Sequence, residues 1–568
     1  MSNEKDPLLS SASPSKRKKH FITGLFLLLG LTLGLYWTWP TAFVTSKTKR
    51  TVPTVVPSPH STYQPSSNIL SIEAPTVPFK QHPILPQFLK QGLQQQPIPT
   101  NAWWTNFLLS DGQGGHSGEA PVTVMPYTVQ SMTNGLQISY GNSRRNVSSS
   151  GIAETFAADV TAGTREALMT REVVAFDELT VTLQWKSSAD VETLKGAGCR
   201  TVLARGSPYI VMEYQNMTPT ITTAGRIVKC SVGNRTMKVQ EAWTATQFEM
   251  MVENKGVAQL WTVASSDPVT WTLGTSGDGH VVDTLFAGAA FNGSLSMALV
   301  PESHKGALAL LQQHAKNTPQ GGTVSYDVRG ATGILQFQWT LNNQATDNHT
   351  FLMVAHPHQV ATMNKSSVDM ISDLPCYRTV KGYATFILGN AWMLEDTLTS
   401  VGFDFPRAIA TDKIPALTAA LAQDVSFSPS KTDPYFFGKE VSRQARLVLL
   451  SDALNATSTR DAILTQLEIW MEPWLLGSNN DPFVYDTVWG GLCSKKGLNG
   501  VFWMTDFGNG WYSDHVRNIN YFLFLNLFIY SYFLAFSLWL FDLYSSCDWS
   551  ISSSVCGKIS ASTVITSS

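Results

Sequence analysis

The sequence predicts a multidomain β + α protein, in which an N-terminal transmembrane helix precedes a large antiparallel β-sandwich and then a helical region. At 568 residues the chain is long enough for about two to four domains. Apolar residues recur at every second position up to about residue 360, and at helical spacing from about residue 436. Strands first and helices later are typical of separate β and α domains, not of an alternating fold.

The membrane helix is predicted from an uncharged stretch, residues 21–44, which follows the basic run Lys16–Lys19. About 20 apolar residues suffice to cross a bilayer as a helix. The basic residues lie mostly before the stretch, so the positive-inside rule favours a cytoplasmic tail at residues 1–20 and a lumenal body. A cleaved signal peptide is the alternative, although its apolar stretch would be shorter.

The route beyond the membrane is predicted from three further features. Residues 45–78 are rich in Pro, Ser and Thr, which is the composition of a disordered stalk. Glu4 with Leu8-Leu9 fits an acidic dileucine sorting pattern, and cleavage after Arg50 at a dibasic site would release the body. We therefore expect a type II membrane protein of the secretory pathway, at the cell surface or wall. Seven glycosylation sequons agree with this route: Asn146, Asn216, Asn234, Asn292, Asn348, Asn364 and Asn455.

Alternating apolar and polar residues predict the sandwich over residues 79–360. Each strand should turn one face to the core and the other to water. Residues 361–435 follow as a small mixed linking domain. The alternating sets are Leu179, Val181, Leu183 and Trp185; Val269, Trp271 and Leu273; and Leu335, Phe337 and Trp339.

Two helices are predicted after residue 436, each with one apolar stripe. The second is expected to begin at the capping signal Ser458-x-x-Asp461. The stripe of the first holds Val441, Ala445, Val448 and Leu449, and that of the second holds Ile463, Leu464, Leu467, Trp470, Met471 and Trp474.

Composition narrows the class of partner. The formal net charge is −2 and only 14% of residues are charged, compared with about 25% in a typical soluble protein. No electrostatic footprint for nucleic acid is visible, and a neutral polysaccharide fits this balance. The six cysteines show no CxxC pair, which argues against a metal cluster and leaves any disulfide pairing open.

Six segments carry short motifs that are distinctive in their residues and order. They are Pro97–Asn106 (PIPTNAWWTN), Arg205–Tyr209 (RGSPY), Lys381–Tyr383 (KGY), Asp433–Lys439 (DPYFFGK), Asn480–Gly491 (NDPFVYDTVWGG) and Asp506–His515 (DFGNGWYSDH). In this order they resemble segments of the endo-1,3-β-glucanases of glycoside hydrolase family 81. One segment would be weak evidence, whereas six in order are hard to obtain by chance, so the chain is identified as similar to that family.

The resemblance implies an (α/α)6 toroid, which residues 436–515 would begin, and inverting endo-hydrolysis of β-1,3-glucan without a metal or cofactor. Inversion uses one carboxyl group that protonates the leaving oxygen and a second that activates water. By resemblance Asp514 is the general acid. The residues expected to line the substrate cleft are Tyr485, Asp486, Trp489, Asp506, Trp511, Tyr512 and His515.

The resemblance stops after His515. The family continues into further helices that carry a glutamate as catalytic base, whereas this sequence has no Glu after Glu472. We therefore expect a truncated toroid and an inactive chain. A non-catalytic, membrane-anchored β-glucan-binding protein is the alternative function.

Three interpretations of the apolar tail, residues 516–568, are open. Residues 519–541 carry no charge and are long enough for a second membrane span. They could equally form a buried core helix. The third interpretation is a retained intron, because the Phe, Leu, Tyr, Ile and Ser that dominate the tail are largely specified by T-rich codons. We favour the intron, since codons for Val516 begin with GT, the usual first bases of an intron.

Overall fold

The computed structural model describes residues 78–94, 98, 102–109, 120–149, 151–168, 171–187, 196–275, 281–342, 351–398, 409–498 and 505–512. The predicted membrane helix at 21–44, the stalk up to residue 77 and the tail at 516–568 lie outside these residues. In the part of the chain that is described, no helix has the length and apolar character needed to cross a membrane.

Strands dominate the first three quarters of the described chain. In chain order they are β1 (Phe79–Lys80), β2 (Val122–Thr123), β3 (Thr128–Met132), β4 (Gly135–Ser139), β5 (Arg145–Ser148), β6 (Gly151–Glu154), β7 (Val160–Thr164), β8 (Glu172–Phe176), β9 (Thr180–Lys186), β10 (Gly198–Ala204), β11 (Ile210–Met217), β12 (Pro219–Thr223), β13 (Arg226–Val232), β14 (Arg235–Thr236), β15 (Ala242–Asn254), β16 (Val257–Gly274), β17 (Thr284–Ala287), β18 (Phe291–Leu299), β19 (Pro319–Arg329), β20 (Thr332–Leu341), β21 (Leu352–Ala355), β22 (Asp369–Ile371), β23 (Arg378–Thr379), β24 (Gly382–Tyr383), β25 (Thr385–Leu388), β26 (Ala391–Thr397), β27 (Phe483–Asp486) and β28 (Leu492–Ser494).

One fifteen-stranded antiparallel sheet forms the body. Its main path runs β2-β3-β4-β7-β12-β17-β16-β18-β11-β10-β9-β8, and β13, β14 and β15 branch from β16. Three-stranded sheets β19-β20-β26 and β21-β25-β22 lie beside it. The large antiparallel sheet that the alternation predicts is thus present.

The three alternating sets lie in strands β9, β16 and β20, except that Leu179 comes one residue before the start of β9. The prediction that one face of β9 is exposed to solvent is wrong, because Thr180 and Thr182 are buried together with Val181 and Leu183. Strand β19 of the neighbouring sheet contacts both β9 and β10, so both faces of β9 have protein neighbours.

Five α-helices lie within the described residues: α1 (Lys305–His314), α2 (Pro357–Thr362), α3 (Ile414–Asp424), α4 (Pro434–Ala453) and α5 (Thr457–Leu475). Helix α4 begins where Asp433 accepts a hydrogen bond from the Phe436 amide at 2.8 Å, with Pro434 in the first turn. The predicted apolar stripes of α4 and α5 pack against each other in a core separate from that of the sheet.

The predicted start of α5 at Ser458 is wrong. The helix begins at Thr457, and Ala456 precedes it without a side-chain cap. Asp461 instead forms an ion pair with Arg460. The turn after α4 sets this start, because the Ala456 amide donates to the Ser451 carbonyl at 2.8 Å.

A third small sheet joins the two ends of the described chain. Strand β27 pairs in parallel with β1, so that Phe79 lies opposite Tyr485 and Lys80 opposite Asp486, and it pairs antiparallel with β28. The residues that follow the predicted stalk therefore lie next to the segment that resembles the glucanase cleft.

Candidate functional site

The carboxylate of Asp486 is the centre of the candidate site. It lies at the end of β27 and is fully buried. Oδ1 accepts hydrogen bonds from the backbone amides of His82 at 3.2 Å and Val488 at 2.8 Å. Oδ2 accepts from the amide of Trp489 at 3.0 Å and from the hydroxyl of Tyr512 at 2.9 Å. Four donors satisfy this buried charge, as a buried carboxylate requires.

The turn after Asp486 closes on itself. The amide of Asp486 donates to the Gly491 carbonyl at 2.8 Å, and the amide of Gly490 donates to the Asp486 carbonyl at 3.0 Å. A side chain at position 491 would overlap the ring of Tyr512, so glycine there lets the two segments touch. Gly491 of the family-like segment thus serves close packing, whereas Gly490 has a φ of +71°, which favours glycine.

Tyr512 closes the site from the other side. Burial, followed by the nearby Cys493 and Asp486, raises its pKa well above the usual range for tyrosine. The phenol therefore keeps its proton and donates a hydrogen bond to the Asp486 carboxylate.

The site segment, residues 505–512, carries Tyr512 into place. Residues Thr505–Trp511 form a 3₁₀ turn. Phe507 and Tyr512 have φ angles of +57° and +59°, in the left-handed region that is costly for bulky residues. Gly510 packs so closely on Gly497 that a side chain there would overlap the Gly497 carbonyl. Strained backbone that neighbouring contacts hold in place is typical of functional segments.

His82 is a member of the site that the sequence patterns did not reveal. It is buried, with Nε2 2.8 Å from the Gly510 carbonyl, and its ring stacks on that of Tyr512 with centroids 6.1 Å apart. No local pattern could have found it, because its partner Asp486 lies 404 positions further along the chain.

Exposed aromatic rings lie beside this cluster. Phe436 and Phe507 are 41% and 47% exposed, and their ring centroids are 5.7 Å apart. Tyr435 lies 4.8 Å from Phe507, and Lys439 donates to the Tyr435 hydroxyl at 2.6 Å while lying 4.0 Å from the centre of that ring. The family-like segment 433–439 thus presents apolar ring surface to solvent.

The predicted cleft residues divide into three groups. Tyr485, Asp486, Trp489 and Tyr512 come together in this cluster, and the first three are buried. Trp489 donates from its indole to the Ile84 carbonyl at 2.9 Å, and Tyr485 packs edge-on against Phe79. Asp506 and Trp511 lie in the 3₁₀ turn, with side chains outside the described set. Asp514 and His515 lie outside the described residues, two and three positions beyond Tyr512.

The sequons differ in accessibility. Asn146, Asn234, Asn292 and Asn455 are exposed, whereas Asn216 and Asn364 are half-buried and Asn348 lies outside the described residues. The amide of Asn364 donates to Glu395 at 3.0 Å.

The described cysteines, Cys199, Cys230, Cys376 and Cys493, are buried thiols. No cluster of three or more metal-ligating side chains occurs among residues that the structure describes.

The comparisons agree with the architecture and the site segments, but the expectation that the resemblance stops after His515 is wrong, because the C-terminal match runs to residue 532. Residues 82–408 match the Glycosyl hydrolase family 81 N-terminal domain and residues 408–532 match the Glycosyl hydrolase family 81 C-terminal domain. The chain belongs to glycoside hydrolase family 81.

Relatives show the same relationship. The chain is 27% identical over 463 residues to a glucan endo-1,3-β-D-glucosidase of Glycine max, covering 79% of this chain and 62% of that one. A Thermobifida fusca glucan endo-1,3-β-D-glucosidase is 22% identical over 407 residues, 69% of this chain and 48% of that protein.

A solved family 81 structure from Clostridium thermocellum superposes with a TM-score of 0.64 at 15% identity, covering 87% of this chain and 64% of that one. The fold is thus a β-rich multidomain fold of the family 81 type. The chain spans about three fifths of the length of the Glycine max relative and of this structure.

Proposed function

We propose that this chain carries the β-1,3-glucan site of a glucan endo-1,3-β-D-glucosidase. The observation that supports this most directly is the Asp486 cluster. It holds the site segment, which leads within two residues to Asp514, the proposed general acid. Family membership and two relatives with this printed activity support the choice of substrate.

The proposed chemistry is hydrolysis with inversion. Asp514 gives its proton to the glycosidic oxygen as the bond to the anomeric carbon breaks, and a second carboxylate removes a proton from the attacking water. His515, Asp506 and Trp511 are proposed to contact the sugar. Tyr485, Asp486 and Trp489 support the cleft from inside its wall, which agrees with their burial.

The proposed sugar-facing surface includes Phe436 and Phe507. Pyranose rings have apolar C–H faces that stack on aromatic rings, and these two rings are exposed next to the site segment. The left-handed backbone at Phe507 supports this assignment, because strained conformations are often kept at ligand-binding positions.

For the 568 residues in hand we propose binding without turnover. The base that the family resemblance implies is a glutamate that follows the Asp-His pair, and no Glu follows Glu472. A β-glucan-binding protein without catalysis is therefore the second candidate function.

The experiment tests binding and turnover separately. The purified full chain is run through gels with and without laminarin, with cellulose derivatives as control polysaccharide, and incubated with laminarin while new reducing ends are measured. We expect retardation by laminarin alone and no new reducing ends. Reducing ends that vanish in Asp514→Asn would refute the absence of turnover and identify the acid. Absence of retardation would refute the glucan site.

The finer architecture is proposed on the same grounds. The large sheet would be the family's β-sandwich, and α4 and α5 would begin an (α/α)6 toroid. Sequencing the spliced transcript tests the origin of residues 516–568. Messenger RNA that encodes this tail as written, with no family-like continuation in the gene downstream, would refute the retained intron.

The location is proposed to be the secretory pathway, with residues 21–44 as the anchor and the body lumenal. The exposed sequons support this orientation. Loss of apparent mass on treatment with an N-glycosidase, together with retention in the membrane pellet at alkaline pH, is the expected result. An unglycosylated chain that is released from the pellet would contradict it.

A further inference from the structure

The histidine that follows strand β1 bridges the two sides of the candidate site. His82 is only 3% exposed and uses both its backbone and its ring. Its amide donates to Asp486 Oδ1 at 3.2 Å, while its ring Nε2 lies 2.8 Å from the Gly510 carbonyl. The ring also meets the edge of Trp489, with centroids 6.3 Å apart.

The neighbours of the ring define its tautomer. A carbonyl oxygen can only accept, so Nε2 carries the hydrogen that reaches Gly510. Nδ1 lies 3.0 Å from the Ile84 amide and 3.2 Å from the Ile84 carbonyl. That carbonyl already accepts from the indole of Trp489 at 2.9 Å. An amide N–H can only donate, so Nδ1 is the acceptor of the Ile84 amide, and the Nε2–H tautomer satisfies both of these hydrogen bonds.

These contacts form a closed circuit. His82 binds Asp486, Asp486 binds the hydroxyl of Tyr512, and the ring of Tyr512 stacks on that of His82. A further hydrogen bond, from His82 to the Gly510 carbonyl, holds the site segment two residues before Tyr512. The segment is thus fixed at two points immediately before Asp514.

We propose that His82 is a positioning residue for the site segment, acting through the hydrogen bond from Nε2 to the Gly510 carbonyl. This inference rests on the proposed function only for the role of that segment in glucan binding. The tether itself is independent of that role. The short stretch around His82, which follows the predicted stalk, is accordingly part of the candidate site as well as the start of the β domain.

Two substitutions separate the tether from general packing. In His82→Gln the side-chain amide can still reach Gly510, whereas in His82→Asn the side chain can accept from Ile84 but is too short for Gly510. Both remove the imidazole ring and they differ by one methylene group, so a role in packing alone would separate them by about fourfold, less than the effect expected from the tether. His314→Gln, at a buried histidine of α1, is the control.

Hydrogen exchange of the full chain reports the tether without any need for turnover. We expect exchange in residues 505–512 to be at least tenfold faster in His82→Asn than in the wild type, and close to wild type in His82→Gln and His314→Gln. Laminarihexaose affinity should follow the same order, with a loss of about tenfold in His82→Asn. Equal behaviour of the Gln and Asn variants would overturn the proposal.

A second measurement on the wild type covers the case that His82→Asn fails to fold. Nitrogen-correlated NMR of the histidine rings, with His82 assigned by its absence in His82→Gln, should show the Nε2–H tautomer. An Nδ1–H tautomer would overturn the tether. A wild type that has the tether but binds no laminarihexaose would instead refute the proposed function.

Discussion

The main sheet and the site segment are stabilised in opposite ways. The sheet buries large aromatic side chains, among them Trp185, Trp261 and Trp271, between strands that pair along long antiparallel registers. The site segment is short, has left-handed backbone at Phe507 and Tyr512, and is held by polar contacts to distant residues. Burial of apolar surface is strong and non-directional, whereas hydrogen bonds add little net stability but define position. The sheet therefore supplies stability and the segment supplies geometry.

The largest expected effect is the loss of stability when the core of the main sheet is disrupted. Trp261→Ala removes a fully buried ring in β16 that stacks near Tyr127 and donates to Gln259 at 3.1 Å. We expect a loss of about 3–5 kcal/mol in the free energy of unfolding, measured by denaturant titration. Val257→Ala, at an exposed position of the same strand, should change it by less than about 0.5 kcal/mol. Equal losses would contradict the assignment of stability to the sheet core.

The next effect is at the centre of the site. Asp486→Ala leaves three backbone amides and the Tyr512 hydroxyl without their shared acceptor. We expect a loss of about 3 kcal/mol, because buried donors lose their charged partner, together with faster hydrogen exchange in residues 505–512.

The matched control for that change is Asp327→Ala, which removes an ion pair with Arg329 at a position where both side chains are at least one third exposed. It should cost less than about 1 kcal/mol. Unchanged exchange in the site segment of Asp486→Ala would show that the carboxylate does not hold it.

A pH effect distinguishes the β domain from the site. Burial, with smaller effects from His358, Arg205 and Lys381, lowers the pKa of His356 from 6.5 to about 4. The nearby Thr379 hydroxyl contributes a neutral contact at 3.3 Å. Between these pH values the unfolded chain binds a proton that the folded chain does not, so stability should fall as pH drops from about 6.5 to 4.

His356→Gln should remove about 2–3 kcal/mol of that decline, measured by denaturant titration across this range. Exchange in the site segment should not depend on the substitution. An identical pH slope in the variant would contradict the assignment to His356.

The smallest expected effect tests whether the exposed ring of Phe507 contacts the glucan. Phe507→Ala should weaken laminarin binding by about fivefold, through loss of about 1 kcal/mol of stacking, and leave the free energy of unfolding nearly unchanged. Phe507→Tyr keeps the ring and should bind as the wild type. Affinity electrophoresis measures both, and a Phe507→Ala variant with undiminished retardation would remove this ring from the sugar-facing surface.

The sequence alone predicted the regular elements well where their signals are local. The stripe Val441, Ala445 and Val448 marks the buried face of α4, and the alternation at Val269, Trp271 and Leu273 marks a strand. The start of α5 was predicted wrongly, because it is set by the turn after α4, which contains Asn455, and not by the Ser458 signal. Likewise the burial of Thr182 depends on a neighbouring sheet that no window of β9 can show.

By itself the sequence determined the family, the order of strands and helices, and the segments that carry the site, because periodicity and short motifs are local properties. Only the tertiary structure decided that Asp486 is a buried hub and that His82 joins it to Gly510. Those contacts connect residues some four hundred positions apart, and they exist only once β1 has paired with β27.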